Sequence, residues 1–140
     1  NWIFGPLRME KAIGGKRSPL QIDVEDTAMI SFTGKDQIPI HLRMDYWRIN
    51  PTRTLGIVTD NAEVLWDYHK CTLKVKFNNG KIKKYVLKKD WNRNELFLEI
   101  MKNFLNSIKG KEKIKSPLSE GCEVLKIAIE AKKEINNEAN

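Results

Sequence analysis

Between residues 38 and 48 the chain alternates strictly: Ile38, Ile40, Leu42, Met44 and Tyr46 fall on one side of an extended backbone, and Pro39, His41, Arg43, Asp45 and Trp47 on the other. A period of two over this length predicts a β-strand with one face in a core. The second face carries an imidazole, a guanidinium, a carboxylate and an indole. It reads either as a surface lined for a ligand or another subunit, or as the wet side of an ordinary amphipathic strand. Two alternating segments, residues 7–13 and 27–33, precede it, with a turn at Gly34-Lys35-Asp36 leading into it. Asn50-Pro51 ends it, because proline lacks the ladder donor and biases the residue before it toward extended conformations. Short strands follow at residues 54–59 and 62–67, joined by Asp60-Asn61, then at 70–77 and 81–87 around Asn78-Asn79-Gly80. An Asn-Gly pair between alternating segments predicts a hairpin with a type I′ turn, whose two central residues need positive φ.

After Asp90 the period becomes helical. Leu96, Phe97, Ile100, Met101, Phe104, Leu105 and Ile108 form one apolar stripe, and Gly110 ends it. Lysines and Ser116-Pro117 make a linker to a second helix over residues 119–135, with Cys122, Leu125, Ala128, Ile129 and Ala131 on its inner side and a frayed polar tail at 136–140. At the other end, Trp2-Ile3-Phe4 before Gly5-Pro6 reads as the last turn of a helix and its αL cap. A helix consisting only of its last turn marks the chain as a piece of a longer protein. Strands first and helices last predict an α+β fold: one open, mostly antiparallel sheet of about six to eight strands with two C-terminal helices packed on one face. The other face is left as an oligomer or substrate surface.

Composition narrows the classes. A chain of 140 residues that is 41% hydrophobic and 31% charged is one domain, 1–140, able to bury a core without metal or disulfides. No apolar run approaches the roughly 20 residues that span a bilayer, and no signal peptide precedes the first strand, so no membrane partner is expected. Cys71 and Cys122 lie in apolar patterns, which points to buried, reduced thiols and a cytoplasmic protein. The net charge of +7 comes mostly from Lys81, Lys83, Lys84, Lys88 and Lys89 and from Lys109, Lys111, Lys113 and Lys115. These sit on outer strand positions and in a loop without interleaved readers, so they read as a solvated surface and not as a nucleic-acid site.

Catalytic signatures are sparse. Gly14-Gly15-Lys16 lacks the spacing and following helix of a phosphate loop. His41 and His69 stand apart with no Glu or Cys at ligand spacing, so no metal site is predicted. Asp23, Glu25 and Asp26 are candidates for paired carboxylates or, more simply, for turn and cap residues.

Several pieces in order resemble the Gfo/Idh/MocA oxidoreductases: Asn1 to Gly5, Ile22-Asp-Val-Glu-Asp-Thr-Ala28, His41-Leu-Arg-Met-Asp-Tyr46, Arg53 to Val58, Val64-Leu-Trp-Asp67, the helix through Phe104 to Ile108, Ser116-Pro-Leu118 and Glu120-Gly-Cys-Glu-Val-Leu125. The resemblance covers nearly the whole chain. It implies the C-terminal domain of such an enzyme, with NAD or NADP bound by an N-terminal Rossmann domain absent from this chain. The catalytic groups would then lie upstream of Asn1, with none in this chain. It also implies a homo-oligomer, dimer or tetramer, built through the open sheet face, with His41, Arg43 and Trp47 at the interface. Tyr46, Arg48, Arg53 and Asn94 become the candidates for substrate binding, because arginine can anchor a carboxylate or phosphate and Tyr and Asn can bond sugar hydroxyls. The expected reaction is hydride transfer to or from a sugar, sugar nucleotide or polyol. The alternative is a free-standing binding or dimerisation module using the same open face. One departure stands out: the family commonly has a glycine pair at the turn where this chain has Thr59-Asp60-Asn61-Ala62.

Overall fold

The computed structural model describes residues 3–87, 92 and 94–138. Trp2, Lys88, Lys89, Asp90 and the last two residues of the predicted tail lie outside them. Among the described residues the fold is α+β, with seven strands and two α-helices. All strand pairings are antiparallel, but the strands divide into a three-stranded and a four-stranded sheet, where the sequence predicts one. The break between the sheets follows the third strand, in the segment holding Asn50-Pro51, where a ladder donor is missing. The chain read as one domain forms two compact units: Asn1–Arg48 with Ile114–Asn140, and Ile49–Lys113.

The first unit is β1 (Arg8–Gly15), β2 (Thr27–Thr33), β3 (Pro39–Asp45) and α2 (Leu118–Glu138), with the sheet order β1-β2-β3. The register places Ala12 opposite Ile30, Ile30 opposite Leu42 and Phe32 opposite Ile40. The even-numbered residues of β2 and β3 therefore share a face, as the alternation predicts. On that face Ala12, Ile30 and Phe32 join Ala131 and Ile135 of α2 in a buried core, flanked by Leu7, Met9, Ala28, Ile40 and Ile127. The helix meets the sheet through Ile127, Ala131 and Ile135. Cys122, Leu125 and Ile129, expected on the inner side, are exposed. The physical reason is that α2 carries two apolar stripes, and the small Ala131 on one of them permits close approach to β1. Glu134 reinforces that choice: its carboxylate accepts the Ala12 N–H at 3.1 Å and pairs with Lys11 at 3.2 Å. β1 is an edge strand, so this carboxylate supplies the partner that an unpaired edge amide needs.

Two turns reverse the expectations about positive φ. Between β2 and β3, Asp36 and Gln37 both have positive φ, 57° and 61°, and Ile38 N–H closes onto the Lys35 carbonyl. These are the features of a type I′ turn. At Asn78-Asn79-Gly80 only Gly80 has positive φ, and Gly80 N–H donates to the Phe77 carbonyl while Phe77 N–H donates to that of Lys81. That hairpin is real, but its loop is a type I turn followed by an αL glycine, the three-residue solution.

The second unit holds β4 (Thr54–Val58), β5 (Ala62–Asp67), β6 (Thr72–Phe77), β7 (Ile82–Val86) and α1 (Asn94–Ile108), its strands in simple meander order. At residues 59–62 the missing glycines are replaced by a hydroxyl. Thr59 Oγ1 accepts the N–H groups of Asn61 (3.4 Å) and Ala62 (3.1 Å), so neither Asp60 nor Asn61 needs positive φ. The apolar stripe of α1 is exposed, Ile100 at 64% and Phe97 at 58%, where the sequence predicts a helix covering a sheet.

Gly14 is the most tightly enclosed glycine of the first unit. A Cβ there would lie 2.3 Å from the Thr27 carbonyl oxygen and 3.2 Å from Ile135 Cδ1. Gly14→Ala is expected to cost about 1–3 kcal/mol. Gly56→Ala, where a Cβ meets nothing within 4 Å, is expected to be neutral or slightly stabilising. Denaturant midpoints of the two variants check this; equal midpoints would contradict the packing described.

Candidate ligand site at the end of the third strand

The site is built from the residue that precedes β2. Asp26 has a side chain with no exposed surface, and a buried carboxylate is tolerated only when its lone pairs are filled. The backbone N–H groups of Arg17 and Ser18 donate to it at 2.8 and 2.9 Å, the Ser18 hydroxyl at 2.5 Å and the Thr27 hydroxyl at 3.2 Å. Lys16 Nζ stands 3.3 Å away. Burial by itself would raise the Asp26 pKa, but the hydrogen bonds from Ser18 and Arg17 and the contact with Lys16 outweigh it and hold the carboxyl well below its ordinary range. The same lysine also donates to the Ser18 and Leu20 carbonyls. Gly14 and Gly15 thus end β1 in pairing with β2, and Lys16 closes on Asp26, which leaves the stretch no role as a phosphate cradle.

From Asp26 two connections reach the end of β3. Its carbonyl accepts the Tyr46 N–H at 3.0 Å. The hydroxyl of Thr27, a donor to Asp26, also accepts the Trp47 Nε1–H at 3.3 Å. An indole N–H lies in the ring plane, so this bond holds Trp47 by its edge while the ring remains 54% exposed.

Next to the indole lies a carboxylate between two guanidiniums. Asp45 is 7% exposed; Arg48 grips it at two points, Nη2 to Oδ2 at 2.9 Å and Nε to Oδ1 at 3.4 Å, and Arg43 Nε approaches Oδ2 at 3.5 Å. The hydrogen bonds from Arg48, with the charges of Arg48 and Arg43, hold the Asp45 carboxyl below the usual carboxylate range despite its burial, and Asp45 in turn raises the Arg48 pKa. Arg43, Asp45, Trp47 and Arg48 line an open depression of about 310 Å³.

The residues singled out in the sequence distribute unevenly. Arg43, Trp47 and Arg48 come together at this depression. Tyr46 adjoins them in the chain but is 70% exposed, and its anchored group is the backbone N–H. His41 lies farther along the same open face, its Nδ1 3.1 Å from Ser31 Oγ. Arg53 and Asn94 belong to the second unit. There the Arg53 guanidinium sits over the Tyr68 ring, 5.0 Å from its centroid, and Tyr68 packs edge-on to Trp66. Asn94 opens α1, with its N–H donating to Asn92 Oδ1; the capping side chain is thus Asn92. The sequence reading leaves out Asp45 and Thr27 as site residues. The available signal for Asp45 is an acid flanked by arginines two residues before and three after; none marks Thr27 before the register is known. Among the described residues no cluster of His, Cys, Asp and Glu is arranged for a metal ion, and no helix is long and apolar enough to cross a membrane.

No protein-family model matches the sequence, and a search of curated proteins gives no match. Solved structures do match. The UDP-N-acetylglucosamine 3-dehydrogenase GnnA from Acidithiobacillus ferrooxidans is similar with a TM-score of 0.74 at 16% identity, over 91% of this chain and 40% of that one. A Thermotoga maritima protein described as an oxidoreductase is similar with a TM-score of 0.66 at 19% identity, over 90% of this chain and 37% of that one. This chain thus spans about 40% of the length of the first of these enzymes. The resemblance read from the sequence is borne out at the level of fold: the chain has the fold of one part of larger oxidoreductase chains.

Proposed function

We propose that this chain is the substrate-binding and oligomerisation domain of a Gfo/Idh/MocA-type, NAD(P)-dependent oxidoreductase acting on a sugar, sugar nucleotide or polyol. The observation that supports this most is a fold likeness spanning 91% of this chain but 40% of a dehydrogenase, together with the ordered motifs of the sequence. Gly14-Gly15-Lys16 is not the start of a dinucleotide loop, since Lys16 pairs with Asp26 and the next element is a strand and not a helix. The cofactor, which supplies the hydride chemistry, and the proton-transferring groups are assigned to a domain outside this chain. The part played here is to bind and orient the substrate, at the end of β3 where Arg43, Asp45, Trp47 and Arg48 meet.

The open face of β1-β2-β3 is the proposed subunit contact. Its register sets Ile13 beside Met29 and Ser31 beside His41. Ile13 and Met29 are half exposed, and apolar side chains framed by polar ones suit a contact between two copies.

The coding sequence upstream of Asn1 tests the enzymatic reading. A Gly-rich βαβ unit followed by a Glu-Lys-Pro-like loop is the expected result; a reading frame without them would leave a free-standing binding module. Sedimentation tests the assembly: a dimer or tetramer is expected, shifted toward monomer by Met29→Glu. A wild-type chain that stays monomeric at high concentration would refute the interface.

A further inference from the structure

The sequence reading treats Arg48 as an anion anchor and Arg43 and Trp47 as interface residues; the geometry points to a different division of labour. Arg48 is held by Asp45 at two points, and a guanidinium paired bidentately with a buried carboxylate has spent its fork on that partner. Arg43 touches the same carboxylate only through Nε at 3.5 Å, with its side chain 65% exposed. Among the described residues it makes no other polar contact. One carboxylate between two guanidiniums leaves one positive charge in surplus, and the side chain free to express it is that of Arg43. Beside it stands an indole whose edge is fixed by Thr27, and the open depression between them is about 310 Å³.

We propose that this depression binds an acidic sugar, a sugar carboxylate or a sugar phosphate, with Arg43 taking the anionic group and the Trp47 ring packing against the C–H face of the sugar. The inference rests on the reading of this chain as a carbohydrate-recognition domain and narrows its substrate to an anionic one. Each group has a defined part. Arg43 presents amino groups in a planar fork matched to a carboxylate or phosphate edge. Asp45 and Arg48 are positioning residues: the carboxylate fixes the near end of Arg43, and Arg48 neutralises it so that it does not repel the incoming anion. Thr27 is a positioning residue for the indole, held in turn by Asp26. An edge-held ring loses little freedom on binding, which favours stacking over a ring that must first be ordered. Neutral sugars lack the group that Arg43 recognises and bind the same surface more weakly.

The experiment is a ¹⁵N NMR titration of the 140-residue chain, following the Trp47 indole N–H and the Arg43 Nε–H with glucuronate, glucose 6-phosphate, glucose and inorganic phosphate. Glucuronate or glucose 6-phosphate is expected to shift both signals saturably. Glucose is expected to bind at least about tenfold more weakly, and inorganic phosphate to move Arg43 while leaving Trp47 in place. Arg43→Gln is expected to weaken the acidic sugar about tenfold or more; because Arg43 is exposed, this variant keeps the fold. Thr27→Val should shift the free Trp47 indole signal and weaken the sugar, with Thr27→Ser restoring both. No saturable shift with either acidic sugar at millimolar concentration, equal affinity for glucose, or unchanged affinity in Arg43→Gln would overturn the proposal. The identity of the parent enzyme is decided separately, by the sequence upstream of Asn1, so a negative titration with a Rossmann unit upstream would overturn the anionic site alone.

Discussion

A carboxylate with no exposed surface is the constraint on which the first unit depends. Asp26 draws the amides of Arg17 and Ser18, the hydroxyls of Ser18 and Thr27 and the Lys16 ammonium to one point. Were any of these donors lost, the charge would stay buried and undercompensated, so the loop after β1 has little choice of conformation. The same residue reaches forward. Its carbonyl holds Tyr46, and through Thr27 its carboxylate holds the Trp47 ring. An acid that a sequence reader places among turn residues therefore determines how the strongest alternating strand ends, and what stands at its tip.

The fold was legible where one periodicity was strong. The alternation puts the even-numbered residues of β2 and β3 on one face, where Ile30 and Phe32 are buried and Ala28 and Ile40 flank them. Leu42 and Met44, and Ile38 before the strand, stay exposed; β2 and β5 begin and end where the pattern does. The less legible features depend on choices between near-equal local solutions. Asn78-Asn79-Gly80 can close either as a two-residue I′ turn or as a type I turn with an αL glycine, and both satisfy the same alternation on either side. On α2 two stripes compete, and the selection of Ile127, Ala131 and Ile135 over Cys122, Leu125 and Ile129 follows from close approach at Gly14 and from Glu134 on the edge of β1. Neither is visible in a helical period. The division into two sheets sits at a proline that the sequence marks as a strand end, but the sequence does not say whether the ladder resumes beyond it.

The site was half legible. A face carrying His41, Arg43, Asp45 and Trp47 announces itself by alternation, and three of those side chains meet at one depression together with Arg48. Their roles do not follow from residue type. Arg48 and Arg43 are chemically alike, and only the distances to Asp45, 2.9 and 3.5 Å, separate a structural guanidinium from an available one. Thr27 is an unremarked strand residue until the register sets it opposite Asp45. The fold shared with parts of larger oxidoreductases is a context in which the proposed recognition of a sugar at this end of the sheet would be useful.

The most direct test of the account is a carboxyl ¹³C NMR titration of Asp26 in the folded chain. Because hydrogen bonding lowers the folded-state pKa, Asp26 contributes stability above its ordinary pKa of about 3.8 and loses it as pH falls toward the lower folded value. The account predicts that the Asp26 resonance shows no protonation step near 3.8 while the chain stays folded, with the Trp47 indole signal unmoved over the same range. A protonation midpoint at the ordinary value would contradict it: the carboxylate would then be no more than a surface acid, and the Thr27–Trp47 link would have no anchor.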